Sequence, residues 1–356
     1  MEKIDIYSML PAELEEYFTS LGEPRFRAKQ VFPRLAVGTP ISEITSLPKA
    51  LRERLLLETI PAIPTVEEKL VSKIDGTVKY LFRLHDGSCI ESVVMRYKHG
   101  NTICISSQVG CYMGCKFCAS TIGGKLRDLY PSELLGQVAA ATRDLGERIS
   151  NIVMMGIGEP LDNFDNVVKF LALVNHEDGL NIGYRHISLS TCGVVPGILR
   201  LAEVDLPITL SISLHASSDE KRTEIMPVNK KWNIASLLSA CVSYYKATGR
   251  RISFEYTLIS GKNDSEEDAK ELALLLKNAF RGTGAPIHVN LIRVNEVKET
   301  GFKKGTPESV NAFAKTLEKY GAVATVRRKL GADISAACGQ LRRANLEKKA
   351  DNANQT

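Results

Sequence analysis

From residue 102 onward the chain alternates two kinds of hydrophobic pattern. Short β-branched runs occur at 102–108 (TICISSQ), 149–156 (ISNIVMMG), 186–192 (HISLSTC), 207–214 (PITLSISL), 252–259 (ISFEYTLI) and 287–294 (IHVNLIRV). Between and after them lie segments with apolar residues at helical spacing: PSELLGQVAAATRDLG, NFDNVVKFLALVNH, VVPGILRLAEV, NIASLLSACVSYYKATG, SEEDAKELALLLKNAF and TPESVNAFAKTLEKYG. Apolar runs of this length read as buried strands, and the periodic segments as crossover helices. Strands alternating with helices imply right-handed crossovers and one parallel sheet. Six such units are too few to close an eight-stranded barrel. We therefore expect an α/β fold, a partial (open) (β/α)6 TIM-like barrel, with AVATVRR (322–328) as a short edge strand.

Upstream the pattern differs. Residues 1 to about 60 are rich in helix formers and punctuated by Pro11, Pro24, Pro48 and Pro61, which predicts several short helices, one over Arg25–Phe32. Within 67–97 the period becomes two: VKYLFRL and SCIESVVMRY alternate like strands around Asp86 and Gly87, a hairpin signature. The expected organisation is an N-terminal helical and β-hairpin domain over 1–97, a catalytic core over 98–345, and a disordered polar tail over 346–356 (LEKKADNANQT).

Composition adds boundaries rather than answers. The net charge of +5 is modest for 356 residues and does not by itself define a nucleic-acid partner. Its distribution is more telling. Arg25, Arg27, Lys29 and Arg34 cluster early, Arg250 and Arg251 adjoin, Arg327, Arg328 and Lys329 run together, and Arg342 and Arg343 follow. Each group alone reads as a solvated face; together they permit a surface that meets RNA phosphates. The opening MEKIDIYSML lacks the apolar core and cleavage site of a secretory signal, and no run of apolar residues is long enough to span a membrane. Eight cysteines in such a chain suit a reducing compartment, so a cytoplasmic protein is expected.

The cysteines carry the chemistry. Cys111, Cys115 and Cys118 stand in C-Y-M-G-C-K-F-C, a C-x3-C-x2-C spacing with no fourth ligand nearby. A closed zinc site or an ordinary four-iron cluster takes four protein ligands. Three thiolates hold three irons of a 4Fe–4S cube and leave the fourth open to another ligand. The alternatives are a zinc loop completed by a distant His or Cys, or three buried thiols. The loop leaves the first predicted strand, where parallel barrels carry their chemistry. Other unusual residues follow later strands. Gly156, Gly158, Glu159 and Pro160 follow the second, Ser190 ends the third, Ser213, Leu214 and His215 end the fourth, and Asn295 ends the sixth. Each alone reads as a turn residue. Cys89, Cys192 and Cys241 read as small buried hydrophobes.

Taken in order, IESVVMRYKHGNTICISSQVGCYMGCKFC, MGIGEPLDN, LSTCGVVP, SISLHA, IMPVNKK, HVNLIRVN and DISAACGQLR resemble the RlmN/Cfr family of radical S-adenosylmethionine (SAM) RNA methyltransferases over nearly the whole chain. The resemblance implies a 4Fe–4S cluster on Cys111, Cys115 and Cys118. It implies SAM bound by Gly158, Glu159, Ser190, Ser213, Leu214, His215 and Asn295. It also implies Cys338 as methyl carrier, Cys104 as its transient disulfide partner and Glu91 as proton acceptor. From the residues alone, Glu91 is one solvated glutamate in a strand. The implied reaction is methylation of C2 of an adenosine in 23S rRNA, consuming two SAM through an S-methylcysteine, with a tRNA anticodon-loop adenosine as further substrate. A one-electron reductant such as flavodoxin or ferredoxin and a monomeric state are expected with it. Two rival readings stand beside it: Cfr-type methylation at C8, against which Pro160 in G-E-P-L speaks, and a non-enzymatic RNA-binding protein with a structural metal cluster.

Overall fold

The computed structural model describes residues 3–294, 301–334 and 341. Three short helices open the chain: α1 (Pro11–Ser20), α2 (Phe26–Ala36) and α3 (Lys49–Glu58). α2 runs beyond the expected stop at Phe32, through Pro33, because Val31, Phe32, Leu35 and Ala36 are all buried. That packing offsets the backbone hydrogen bond a proline cannot donate.

Strands β1 (Thr65–Val71), β2 (Val78–Arg83) and β3 (Cys89–Tyr97) form an antiparallel meander, and β3 pairs antiparallel with β4 (Gly100–Cys104). The expected hairpin is thus β2–β3. β1 is an additional strand, and its sequence TVEEKLV, exposed or half-buried throughout, offers little apolar alternation to read.

The expected strand at 102–108 is split. β4 ends at Cys104, the backbone N–H of Ser106 turns to Gln137 Oε1 (2.8 Å), and a separate short strand β5 (Gln108–Gly110) pairs with β6 (Lys125–Asp128). After it come α4 (Pro131–Leu145), β7 (Ile149–Met154), α5 (Phe164–Asn175), β8 (Ile187–Thr191), α6 (Val195–Val204) and β9 (Thr209–Ser213). The chain continues through α7 (Asp219–Ile225), α8 (Ile234–Thr248), β10 (Ile252–Leu258), α9 (Glu266–Ala279), β11 (His288–Arg293), α10 (Pro307–Lys319) and β12 (Val323–Val326).

The main sheet has ten strands in the order β1-β2-β3-β4-β7-β8-β9-β10-β11-β12, parallel from β4 onward. Among the described residues β12 and β1 do not pair, so the barrel is open. The AVATVRR segment supplies the edge strand, as its pattern suggests. The N-terminal helices are not loose appendages: Ser132 at the start of α4 bonds Asp5 (2.6 Å) and Ser8 (2.9 Å), and Lys169 on α5 pairs with Glu13 (2.6 Å).

One further link crosses the open seam. Asp333 accepts hydrogen bonds from Ser72 Oγ (2.6 Å) and the Lys73 N–H (2.9 Å), while Gly331 N–H donates to Asp75 (2.8 Å). The segment after β12 is therefore fastened to the β1–β2 turn. No described helix is long and apolar enough to cross a membrane.

Candidate active site

The cysteine loop is the tip of the β5–β6 hairpin. At its base Gly110 has φ +87°, and a Cβ there would lie 1.8 Å from the Gly124 carbonyl, so only glycine lets the two arms close. Cys111 N–H donates to that carbonyl (3.1 Å), Cys118 N–H to Cys115 O (3.0 Å), and Lys116 N–H to Ile225 O (2.9 Å). These bonds fix the loop over the C-terminal ends of the parallel strands.

All three cysteines line one cavity of about 630 Å³. They face a shared space without being gathered tightly enough to hold a single ion. Burial pushes the Cys111 thiol up to about 12 and Cys115 higher still. A metal charge in that space would draw the protons off. A three-thiolate donor set facing an open cavity fits a cluster with one uncommitted corner.

The loop after β7 forms the next wall. Gly158 has φ +107°, and a Cβ there would approach Gln108 Cβ within 2.6 Å. The close approach is used: Gln108 Oε1 accepts from the Glu159 N–H (2.9 Å), and its amide nitrogen donates to Asp128 and Asp162 (2.8 Å each). The Glu159 carboxylate is buried and accepts N–H bonds from Leu161 (3.0 Å) and Cys192 (2.7 Å). Burial raises its pKa, and those bonds only partly offset the rise. Gln108 escapes a reading of the sequence because a lone glutamine before a cysteine carries no chemical signature.

Ser190, Ser213 and His215 line the same cavity. His215 has φ +60° and is buried; its Nδ1 accepts the Thr257 N–H (2.9 Å), which leaves the proton on Nε2. Burial, reinforced by Arg222, lowers its pKa to about 3, so the imidazole is neutral at physiological pH. Leu214 is different: its side chain is in the core, and only its backbone serves the rim, the carbonyl accepting from Arg222 Nε (3.1 Å). Arg222 also donates to Cys192 O (2.7 Å), Ser213 O (3.3 Å) and Asn229 Oδ1 (2.8 Å), tying the rims of β8 and β9 together. In the sequence S-S-D-E-K-R-T-E it looks like one charge of a solvated helix; in the fold it is fully buried. Asn295 lies outside the described residues.

Cys104 is buried at the end of β4 and lines the cavity beside Val93 and Met95. Cys338 lies outside the described residues, but the segment leading toward it, Arg327 to Ala332, forms part of the cavity wall. Cys192 belongs to that wall as well as to the core, while Cys89 and Cys241 are buried away from it.

Glu91 corrects the reading of a solvated glutamate. Its side chain is 0% exposed and pairs with Lys79 at 3.1 Å, itself 1% exposed. β2 and β3 set the two charges side by side, because Leu81 and Glu91 are cross-strand partners and Lys79 is two residues along. Removing one partner of such a pair leaves an unneutralised buried charge. Lys79→Met is expected to destabilise the fold by about 3–5 kcal/mol, and Lys79→Met with Glu91→Gln to recover most of it. Chemical unfolding of the three proteins checks this; equal losses in single and double variants would contradict it.

The fold and the site define a radical SAM enzyme, and the Radical SAM superfamily profile matches residues 105–273. A solved structure described as a radical SAM methyltransferase from Sphaerobacter thermophilus superposes with a TM-score of 0.88 at 41% identity, covering 95% of this chain and 98% of that one. Two curated relatives carry the name "Probable dual-specificity RNA methyltransferase RlmN". The one from Alkaliphilus oremlandii is 53% identical over 98% of this chain and 100% of its own length. The one from Clostridium perfringens strain 13 is 53% identical over 95% and 96%. The chain belongs to the RlmN family of radical SAM RNA methyltransferases. Its cofactors are a 4Fe–4S cluster and SAM.

Proposed function

We propose that this enzyme methylates C2 of an adenosine in 23S rRNA, and of a tRNA anticodon-loop adenosine, through a methyl carried on Cys338. The observation that carries the reading is the single cavity walled by Cys111, Cys115, Cys118, the Gly158-Glu159 turn and Cys104. The name dual-specificity RNA methyltransferase on relatives 53% identical supports RNA as substrate, in the cytoplasm where these RNAs reside.

Aromatic C2 is not nucleophilic, so a methyl cannot reach it by simple displacement from SAM. The bound cluster and SAM supply the one-electron chemistry that activates a methyl group. The chain's residues do the rest. Cys111, Cys115 and Cys118 hold the cluster. Glu159, Ser190, Ser213, His215 and Asn295 orient SAM, His215 presenting a neutral Nε2–H. The proton leaving C2 is assigned to Glu91, which the fold holds buried against Lys79. Glu91 lies two residues along β3 from the lining residue Val93 rather than on the cavity wall itself. Cys104 thiolate attacks the Cys338 sulfur to form a disulfide. The electron pair of the breaking carbon–sulfur bond stays on the methylene carbon, and that carbon takes up a proton to become the methyl group of the released product. The adenosine must leave its stack to enter the cavity, as bases undergoing chemistry do.

C2 rather than C8 is supported by Pro160 in G-E-P-L. Mass spectrometry of 23S rRNA and tRNA from a deletion strain, with and without this gene restored, tests substrate and position together. Restored 2-methyladenosine in both RNAs is expected. 8-Methyladenosine, or no change in either RNA, would reject the reading.

A further inference from the structure

A second cavity of about 480 Å³ adjoins the first, since Met95, Met155, Arg327 and Arg328 border both. Its character differs. Among the described residues no Asp or Glu lines it, while Arg185, Arg327, Arg328, His99 and His186 do. Among the described residues none of the three arginines forms a close ion pair with a carboxylate, although the Arg327 charge does act on Glu255, with which it shares the first cavity. Arg327 instead points its guanidinium at Met155 Sδ (3.6 Å). Arginines gathered with this little neutralisation favour an anion joining them.

Two other features narrow the anion. The rings of Tyr97 and His99 stack at 5.1 Å with planes 12° apart, and His99 is exposed, so a flat face is presented at the rim. His186 Nδ1 donates to Asn151 Oδ1 (3.0 Å), which holds its ring in place and leaves Nε2 for a donor such as a hydroxyl. Phosphate-binding arginines, a stacking face and a hydroxyl partner are together the requirements of a single strand of RNA.

We propose that this second cavity binds the single-stranded RNA flanking the reacting nucleotide, phosphates at Arg185, Arg327 and Arg328 and a base on the His99–Tyr97 stack. This rests on RNA being the substrate of the first cavity. Arg327 and Arg328, bordering both, span the phosphate between the reacting nucleotide and its neighbour. The site makes substrate choice depend on an unpaired neighbour as well as on the adenosine itself.

The test uses the full-length reconstituted enzyme and a stem-loop RNA with an unpaired loop adenosine. Arg185 and His99 are both exposed and outside the reaction cavity, so Arg185→Glu and His99→Ala leave the fold intact. Each is expected to weaken RNA binding and raise KM about tenfold with kcat within about twofold. Arg185→Glu should also reduce the slope of log affinity against log salt by about one, as loss of a phosphate contact does. SAM cleavage by the reduced enzyme without RNA should be unchanged. Shortening the RNA to remove the loop nucleotides beside the adenosine should erase the difference between variant and parent. Unchanged KM and salt slope would overturn the proposal, as would an equal loss of heparin binding, which would make the surface a general anion patch. A parent enzyme that binds the RNA but never methylates it would reject the RNA methylation reading alone, the affinity measurements still deciding this one.

Discussion

Replacing Cys115 with Ala is expected to give a folded protein that holds no iron and forms no methylated RNA. Three thiolates on one loop leave no spare ligand within the loop for the cluster. The loop itself is held by backbone bonds, Lys116 N–H to Ile225 O and Cys111 N–H to Gly124 O, that do not involve the Cys115 side chain. Its fold should therefore survive, with unfolding free energy within about 1 kcal/mol of the parent. Iron and sulfide content after anaerobic reconstitution, the visible charge-transfer absorbance and RNA methylation are read on the same sample. Cys111→Ala and Cys118→Ala should behave alike. Full activity in an iron-free protein would end the radical reading.

The second large effect concerns Cys104. As a packed thiol beside Val93 and Met95, its loss to Ala should cost about 1 kcal/mol, as small core truncations do, and leave catalysis alone. As the thiol that resolves the intermediate, its loss should instead trap Cys338 joined to RNA through one methylene. Denaturing electrophoresis of Cys104→Ala is expected to show an RNA–protein adduct that survives boiling and is absent from Cys104→Ala with Cys338→Ala. Cys338→Ala alone should keep its iron and bind SAM yet transfer no methyl. Freely released methylated RNA from Cys104→Ala at the parent rate would return Cys104 to the core.

How legible this was in the sequence depended on whether neighbours along the chain, or neighbours in space, define each feature. β7 to β11 expose none of their residues fully, and β10 is buried throughout, so they appear as apolar β-branched runs. β1 (TVEEKLV) escapes because strand pairing, not burial, makes it a strand, and α7 because its seven residues are mostly charged. The cysteine loop is legible because its three cysteines sit within eight residues of chain. Glu91, Lys79 and Arg222 are not. Charged residues read as solvated, and only β2 lying beside β3, or the rims of β8 and β9 meeting, puts each where its charge is neutralised or its donors are used. Gln108 is similar: its role exists only once β5 brings it under the Glu159 turn.

The fastening of Asp333 to Ser72 and Lys73 bears on how the chain reaches this shape. Those partners are 261 and 260 residues apart, and Gly331 and Asp75 are 256 apart. Every other seam of the barrel joins strands that follow one another closely, so each can zip onto its predecessor. Closing a loop of this length carries the largest entropic cost, and contacts of such separation form slowly. This latch is therefore expected to be among the last contacts of the barrel to form. The same latch holds Arg327 to Ala332 in place as a wall of the reaction cavity, so a late latch also means a late cavity.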